Sequence, residues 1–346
     1  MTIIPNKKNM GSVFILTSDL RGDTLRIRTL GPALPVLAAV LLAATACGGS
    51  SSADNAGGGT MKLKVVATTT QVADFARNIG GDKVTVTQIL KPNVDPHDYE
   101  PSPADIQAIA DADLVVKGGV GLEKWLDQTI KSAGFDGTVV DASKGVAIRK
   151  GGHEHGEEHG HDEEEADGDP HIWHNPRNVE IMTRHIAAAF GTEDPADKAA
   201  YETNLTTYTG KLKQLDAWIA GQINSLPVEQ RKLVTNHDAF GYYIDRYRLT
   251  FVGSIIPSFD TSAELSGKQL NSLVAKIKST GVKAVFSESS LPPKTAETIG
   301  REAGVKVVAG EDSLYGDTLG PAGSAGATYL EMERHNTTTI VTALKG

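Results

Sequence analysis

The sequence predicts an α/β protein of two similar lobes with mainly parallel sheets, joined by one long linking helix. Short β-branched runs alternate with helical stretches in two separate parts of the chain, as in parallel α/β layers. The stretch between these parts keeps one apolar stripe at steps of three and four residues, which is typical of a helix. About 285 residues remain after the leader and tether described below, more than one hydrophobic core comfortably holds.

The N-terminal lobe is predicted over residues 61–193. Strands are expected where β-branched residues cluster, and a helix is expected between successive strands. In chain order the predicted elements are a strand at Leu63–Ala67, a helix at Val72–Ile79, a strand at Val84–Leu90, a helix at Ala104–Ala110, a strand at Leu114–Val116, a helix at Glu123–Lys131 and a strand at Thr138–Val140.

The linking helix is predicted over residues 194–226. Asp194 suits the N-cap and Pro195 the first helical position. A helix of ~30 residues would extend about 45 Å, enough to run along both lobes. Two shorter helices with a break near Gly210 remain the alternative.

The C-terminal lobe is predicted over residues 227–346, with the same alternation of elements. Its strands are expected at Lys232–Thr235, Thr250–Val252, Ala284–Phe286 and Val305–Val308, and its helices at Leu265–Ser279 and Thr295–Ala303.

Residues 1–46 have the pattern of an export signal with an atypical upstream extension. Arginines precede an uncharged, partly apolar run that ends in small residues at Ala46. Two prolines and the shortness of the run argue against a membrane-spanning helix. Cys47 follows at the position of lipid attachment in bacterial lipoprotein signals, and plain cleavage near Ala46 is the alternative. Residues 47–60 then read as a flexible tether, so we expect an extracytoplasmic protein anchored to the bacterial membrane.

Charge and cysteine content narrow the function. The net charge is −9, and residues 151–169 contain nine carboxylates and no lysine or arginine, which leaves the rest of the chain neutral. A neutral body with one acidic tract argues against nucleic-acid binding and favours a cationic partner. Cys47 is the only cysteine, so a metal site in the mature body must use His, Asp and Glu.

Four turns carry donors suited to such a site. Each follows an apolar strand or begins a helix, and each singly could hold an ordinary capping or hydrogen-bonded loop residue. The candidate donors are His97 in Asn93–Pro101, His171 in Asp169–Pro176, His237 in Asn236–Tyr243 and Asp312 in Glu311–Leu314. Three imidazoles and a carboxylate brought together from two lobes would make a tetrahedral Zn²⁺ site without sulfur.

At these turns the chain resembles the solute-binding proteins of bacterial ABC importers for zinc and manganese, metal-binding lipoproteins with a rigid linking helix. The resemblance covers Lys62 to Leu344, and its motifs are Asp95–Pro101, Asp169–Trp173, Asn236–Tyr242, Asp312–Leu314 and Gly326–Leu330. It implies two four-stranded lobes with the metal between them, and as metal ligands His97, His171, His237 and Asp312. Manganese members typically have Glu at the third ligand position, so His237 favours a zinc-type member.

The chain departs from the family after the tryptophan, where His174 replaces an apolar residue. We expect His171 to be the ligand and His174 to lie behind it or at the surface. Carboxylates that could orient the imidazoles are Asp98, Glu100, Asp238 and Glu288.

The acidic tract also contains four histidines: His153, His155, His159 and His161. His and Gly among carboxylates indicate auxiliary, low-affinity metal binding, with a solvated acidic spacer as the alternative. The tract matches the spacing of a metalloprotease motif, but it lacks the apolar face of a stable helix, so this match is rejected.

The predicted function is a zinc receptor that catalyses no reaction. It would deliver Zn²⁺ to an ABC permease with its ATPase, and we expect it to act as a monomer. The alternatives are a secreted zinc-dependent hydrolase and a manganese-preferring receptor or adhesin of the same fold. No esterase or phosphate-loop motif supports an enzyme.

Overall fold

The computed structural model describes residues 62–150, 168–263 and 266–345. The predicted signal, Cys47, the tether and the four histidines of the acidic tract lie outside these ranges. Among the helices in the described ranges, none combines the length and the apolar character needed to cross a membrane.

The N-terminal lobe is built on a four-stranded parallel sheet with the strand order β2-β1-β3-β4. Its strands are β1 (Leu63–Ala67), β2 (Val84–Gln88), β3 (Leu114–Lys117) and β4 (Thr138–Asp141), and its first helices are α1 (Thr70–Gly80), α2 (Pro103–Ala110) and α3 (Leu126–Ala133). Each predicted strand and helix of this lobe is present within a few residues of its expected bounds. The prediction of an α/β fold with mainly parallel sheets is confirmed.

Capping residues fix where α1 and α2 begin. The Thr69 hydroxyl accepts a hydrogen bond from the Val72 backbone at the start of α1. Ser102 and Asp105 form a reciprocal capping box at the start of α2. α1 then buries Phe75 and Ile79 completely in the main core, which places the turn after β1 beside the centre described below.

Two helices follow the N-terminal sheet: α4 (Pro176–Glu193) packs against α1 and β4, and α5 (Lys198–Asn224) contacts α1 as well as α6 and α9 of the later part of the chain. The predicted N-cap at Asp194 is wrong, because Asp194 caps the C-terminus of α4 and Asp197 stands at the N-cap of α5. Pro195 explains the difference, since a proline restricts the residue before it and ends the preceding helix. The Asp194 carboxylate instead accepts a hydrogen bond of 2.8 Å from the Tyr201 hydroxyl.

α5 runs through Gly210 without a break. The alternative of two shorter helices is therefore wrong. The buried face of α5 consists of Tyr201, Tyr208, Leu212, Leu215, Asp216, Ile219 and Ile223. α5 contains two glycines, Gly210 and Gly221, and each disfavours a helix by roughly 1 kcal/mol relative to alanine. Burial of the apolar stripe offsets this cost.

The C-terminal lobe contains β5 (Lys232–His237), β6 (Thr250–Ile256), β7 (Ala284–Phe286) and β8 (Lys306–Val308), with the helices α6 (Gly241–Tyr247), α7 (Gly267–Thr280), α8 (Lys294–Ala303) and α9 (Tyr329–Lys345). Among the described residues the strands pair in parallel as β5-β6 and β7-β8, with β5 next to β7, rather than as one four-stranded sheet. α9 leaves this lobe and packs against α1 and α5.

Candidate metal centre

Three imidazoles and one carboxylate meet at a single buried point between the lobes. The group comprises His97, His171, His237 and Asp317, whose nearest donor atoms all lie within 4.8 Å of one another. Nε2 of His171 and of His237 lie 3.3 and 3.2 Å from Oδ1 of Asp317, and the two Nε2 atoms are 3.2 Å apart. Nε2 of His97 is 3.9 Å from the same oxygen.

The three histidines reach this point from separate elements. His237 is the last residue of β5, and His171 directly precedes a short 3-10 helix at Ile172–His174. His97 lies in the Pro-rich turn after β2, where its backbone N–H donates to the Asp95 carboxylate. Asp95 in turn accepts a 2.6 Å hydrogen bond from the Thr261 hydroxyl of the opposite lobe. Both lobes therefore fix the His97 turn.

Asp312 does not join the three histidines. It ends an exposed 3-10 turn at Gly310–Asp312, and Asp317 supplies the carboxylate instead. The chain leaving β8 first makes this turn and then hydrogen-bonds Leu314 to Ser287 and Ser289, beyond the end of β7. Only after this pairing does it arrive at the centre, five residues later than the sequence motif suggested.

Groups of the N-terminal lobe hold the loop that carries Asp317. The Gln71 side chain donates to the Asp317 carbonyl at 2.7 Å, and the Thr70 hydroxyl accepts from the Leu319 N–H at 2.8 Å. The backbone N–H of Asn93 donates to the Thr318 hydroxyl. Although Asp317 follows the last strand of the C-terminal lobe, its backbone is thus fixed on the other lobe.

Two carboxylates orient the imidazoles from behind. Nδ1 of His171 lies 2.9 Å from Asp169, which is itself paired with Arg149 at 3.0 Å. Nδ1 of His237 lies 2.8 Å from Oε2 of Glu288. A carboxylate at Nδ1 favours the ring hydrogen there, which leaves the Nε2 atom of each ring to face the common point as a metal donor once it has lost its own proton.

Of the four carboxylates proposed to orient the imidazoles, Glu288 contacts one directly. Asp98 and Glu100 are exposed, and Asp238 is partly buried beside the centre. Asp169 lies in the Asp169–Trp173 motif, but it is not among the residues predicted from the sequence to orient an imidazole ring. Its signal in the sequence was its position two residues before His171, which lets the carboxylate bind both the His171 backbone N–H and its ring.

The electrostatics of the centre follow from burial and these carboxylates. Burial, with the nearby His171 and His237 rings, lowers the pKa of His97 to about 3 against the opposing effect of Asp317. Burial also opposes the charged form of His171, but Asp169 and Asp317 outweigh it and raise the pKa to about 9. Asp317 and Glu288 likewise raise the pKa of His237 well above its usual range. Burial would raise the pKa of Asp317, yet the three imidazoles hold it well below normal.

The donor set fits a divalent metal ion. His97 Nε2 and both carboxylate oxygens of Asp317 are buried without a hydrogen-bond partner among the described residues. Bonds of about 2.0–2.2 Å to a tetrahedral Zn²⁺ place neighbouring donor atoms ~3.3 Å apart, close to three of the four separations given above. Orphaned polar atoms converging at that spacing indicate a site shaped for a cation.

A small cavity of about 30 Å³ lies beside His97. Its lining comes from both lobes and includes Leu122 and Lys124 on one side and Phe259 and Asp260 on the other. Lys124 and Asp260 pair across it at 2.6 Å. Of the four converging donors, His97 alone lines this cavity.

Comparison with known proteins finds a matching family for the chain. Residues 65–343 match the family model described as "Zinc-uptake complex component A periplasmic". The chain is 32% identical over 291 residues to the manganese ABC transporter substrate-binding lipoprotein PsaA of Streptococcus mitis, covering 82% of this chain and 89% of that protein. It is 32% identical over 283 residues to the manganese-binding lipoprotein MntA of Halalkalibacterium halodurans, covering 82% and 88%.

A solved structure agrees with these matches. The periplasmic zinc-binding protein TroA of Treponema pallidum superimposes with a TM-score of 0.73 at 29% identity. The superposition covers 82% of this chain and 99% of TroA. The similarity therefore extends over nearly all of the described residues and over both lobes.

Proposed function

The chain belongs to the family of periplasmic zinc-uptake components, and on that premise we propose that it captures Zn²⁺ outside the cytoplasm and delivers it to an ABC importer. It is a substrate-binding protein of a metal ABC transporter. Members of this family are solute-binding receptors and not enzymes, which sets the hydrolase alternative aside. The proposed partners are a permease and its ATPase.

The composition of the centre is the observation that carries the choice of zinc. Three imidazoles and one carboxylate suit a borderline cation, whereas Mn²⁺ prefers carboxylate, carbonyl and water oxygens. In this proposal His97, His171, His237 and Asp317 are the ligands. The relatives named for manganese favour a second candidate, a manganese receptor on the same fold.

We further propose that Cys47 carries a lipid anchor and that the receptor acts as a monomer. Several relatives are named as lipoproteins, which supports the anchor. Cys47 stands between the small-residue end of the signal and a Gly/Ser-rich stretch, a position that would leave the folded body free on a tether. Intact mass of the exported protein tests the anchor, because an unmodified Cys47 in the mature chain contradicts it.

Metal titration tests the proposed function. A chain lacking residues 152–167, and with them the four histidines of the acidic tract, should bind one equivalent of Zn²⁺ and retain it against Mn²⁺ in excess. Deleting the tract ensures that the stoichiometry reports the buried centre alone. Retention of Mn²⁺ in preference to Zn²⁺ would replace the zinc proposal by the manganese one, and binding of neither metal would contradict both.

Zinc affinity should fall as the pH falls. His97 is neutral at pH 7 because its pKa is about 3, but the metal-free centre holds protons on His171 and His237, whose pKa values are raised. Zn²⁺ must displace these protons, so each one weakens binding about tenfold per pH unit below its pKa. Competition titrations between pH 8 and 6, corrected for protonation of the competitor, measure this slope. A dissociation constant that stays flat over this interval would contradict the proposed ligands.

A further inference from the structure

The backbone carbonyl of Gly316 belongs to the peptide group that joins Gly316 to Asp317, so its contacts help to set the position of Asp317. It accepts a hydrogen bond of 3.0 Å from Nε1 of Trp173 and a second of 3.0 Å from Nε2 of His174. A side chain at residue 316 would collide with the Glu288 carboxylate behind His237. The peptide group between Gly316 and Asp317 is therefore held by Trp173 and His174 on one side and packs against Glu288, the carboxylate behind His237, on the other.

His174 is fully buried, and both of its ring nitrogens are used. Nδ1 lies 2.8 Å from Oε1 of Glu333, a fully buried residue of α9. A carbonyl oxygen only accepts hydrogen bonds, so Nε2 must carry the hydrogen directed at Gly316. Glu333 leaves Nε2 in this role whether it accepts from Nδ1 as a carboxylate or donates to it as an acid. Glu333 is therefore compatible with the Nε2–H bond to Gly316 in both forms, as an acid beside the neutral ring and as a carboxylate beside the imidazolium.

Packing fixes the plane of the His174 ring. The ring stacks on Phe240 with centroids 4.4 Å apart and planes inclined by 25°. On α9, three residues beyond Glu333, the Asn336 side chain also binds both the N–H and the carbonyl of Tyr315 at 2.9 Å. α9 therefore holds two consecutive residues before Asp317, Tyr315 directly and Gly316 through His174.

We propose that His174 and Glu333 form a positioning pair that sets the place of the Asp317 carboxylate and thereby the affinity for the divalent cation. The pair does not bind the metal itself, because both His174 nitrogens are turned to other partners. This inference rests on the proposed function, in which Asp317 is a ligand. It also accounts for a histidine at a position where the family usually has an apolar residue.

The test is His174→Leu in the chain lacking residues 152–167. The variant keeps the Trp173 bond to Gly316 but loses the His174 bond, so the Asp317 carboxylate should shift without leaving the centre. Loss of a supporting contact typically costs about 10–100-fold in metal affinity, and we expect the Zn²⁺ dissociation constant to rise by at least tenfold. The visible absorption of the Co²⁺-loaded protein should change as well, since it reports the arrangement of ligands around the ion.

Two further variants separate positioning from general stability. Glu333→Gln can donate its amide hydrogen to Nδ1 and keep Nε2–H on Gly316, so it should retain the wild-type affinity and Co²⁺ spectrum. Tyr243→Phe removes a different buried hydrogen bond to α9, the 2.8 Å contact with Thr337, and does not touch Gly316. It should lower the melting temperature and leave both metal readouts unchanged.

A double variant, His174→Leu with Glu333→Leu, keeps the test decisive if the single variant does not fold, because it leaves no unpaired buried acid. Wild-type zinc affinity and an unaltered Co²⁺ spectrum in a folded variant without His174 would overturn the positioning role alone. A wild-type chain that binds no divalent metal would overturn the proposed function and this inference with it. The two failures are distinguished by the wild-type titration.

Discussion

Replacing Asp317 by alanine should abolish high-affinity zinc binding. Asp317 supplies the only carboxylate among the four converging donors of the described residues, and its Oδ1 lies 3.2 to 3.9 Å from all three Nε2 atoms. Without it, three imidazoles remain with no carboxylate oxygen in a position to bind the ion directly. Loss of a supporting residue lowers metal affinity by up to about 100-fold, and loss of a ligand should lower it further.

Competition with a fluorescent chelator measures this loss, and thermal unfolding provides a second reading. A ligand that binds the native state alone stabilises it by about 2.7 kcal/mol at 100 times its dissociation constant. Wild type should therefore melt at a higher temperature in excess Zn²⁺, and Asp317→Ala should not respond.

Asp312→Ala is the matched control. Asp312 is an aspartate of the same segment, five residues earlier, but it is exposed and remote from the donor group. Its replacement should leave zinc affinity and the thermal response at wild-type values. If Asp312→Ala lost zinc and Asp317→Ala kept it, the motif-based assignment would be right and the ligand set argued from the structure would be wrong.

Replacing His237 by alanine should narrow the preference for Zn²⁺ over Mn²⁺. The resemblance implies a glutamate at the position of His237 in manganese members, and the proposed preference for zinc rests on this donor. Zinc gains more than manganese from an imidazole nitrogen, so its affinity should fall more than about 100-fold while manganese affinity falls less. Parallel competition titrations with the two ions measure the ratio.

Glu288 complicates this variant because its carboxylate lies 2.8 Å from the His237 ring and would lose that partner. The double variant His237→Ala with Glu288→Ala removes the orphaned charge and isolates the effect of the missing donor. An unchanged ratio of zinc to manganese affinity in both variants would mean that His237 does not set the preference.

Much of the fold could be predicted because its signals are local. Each strand of the N-terminal lobe is a short β-branched run that differs sharply from the helices beside it. α9 was missed because its run of threonines, Thr337–Thr339, favours a strand. Burial of Met332, Ile340 and Leu344 decides for the helix, and that burial depends on partners elsewhere in the chain.

The centre was predictable where a donor is tied to a local feature. His237 ends a strand, and His171 follows a proline and an aspartate that positions it. Asp312 and Asp317 both follow β8, and the sequence offers no local reason to prefer the later one. The choice is made by Gly316, which fits against Glu288, and by hydrogen bonds from residues more than 140 positions away.

The absence of sulfur from this donor set has a consequence for the conditions in which the protein works. Thiolate ligands are lost when oxidants convert them to disulfides or sulfinic acids, whereas imidazole and carboxylate groups are not part of that chemistry. The only thiol of the whole sequence is at Cys47, ahead of the folded body. Metal capture at this centre therefore needs no reductant, and an oxidising environment leaves its donors intact.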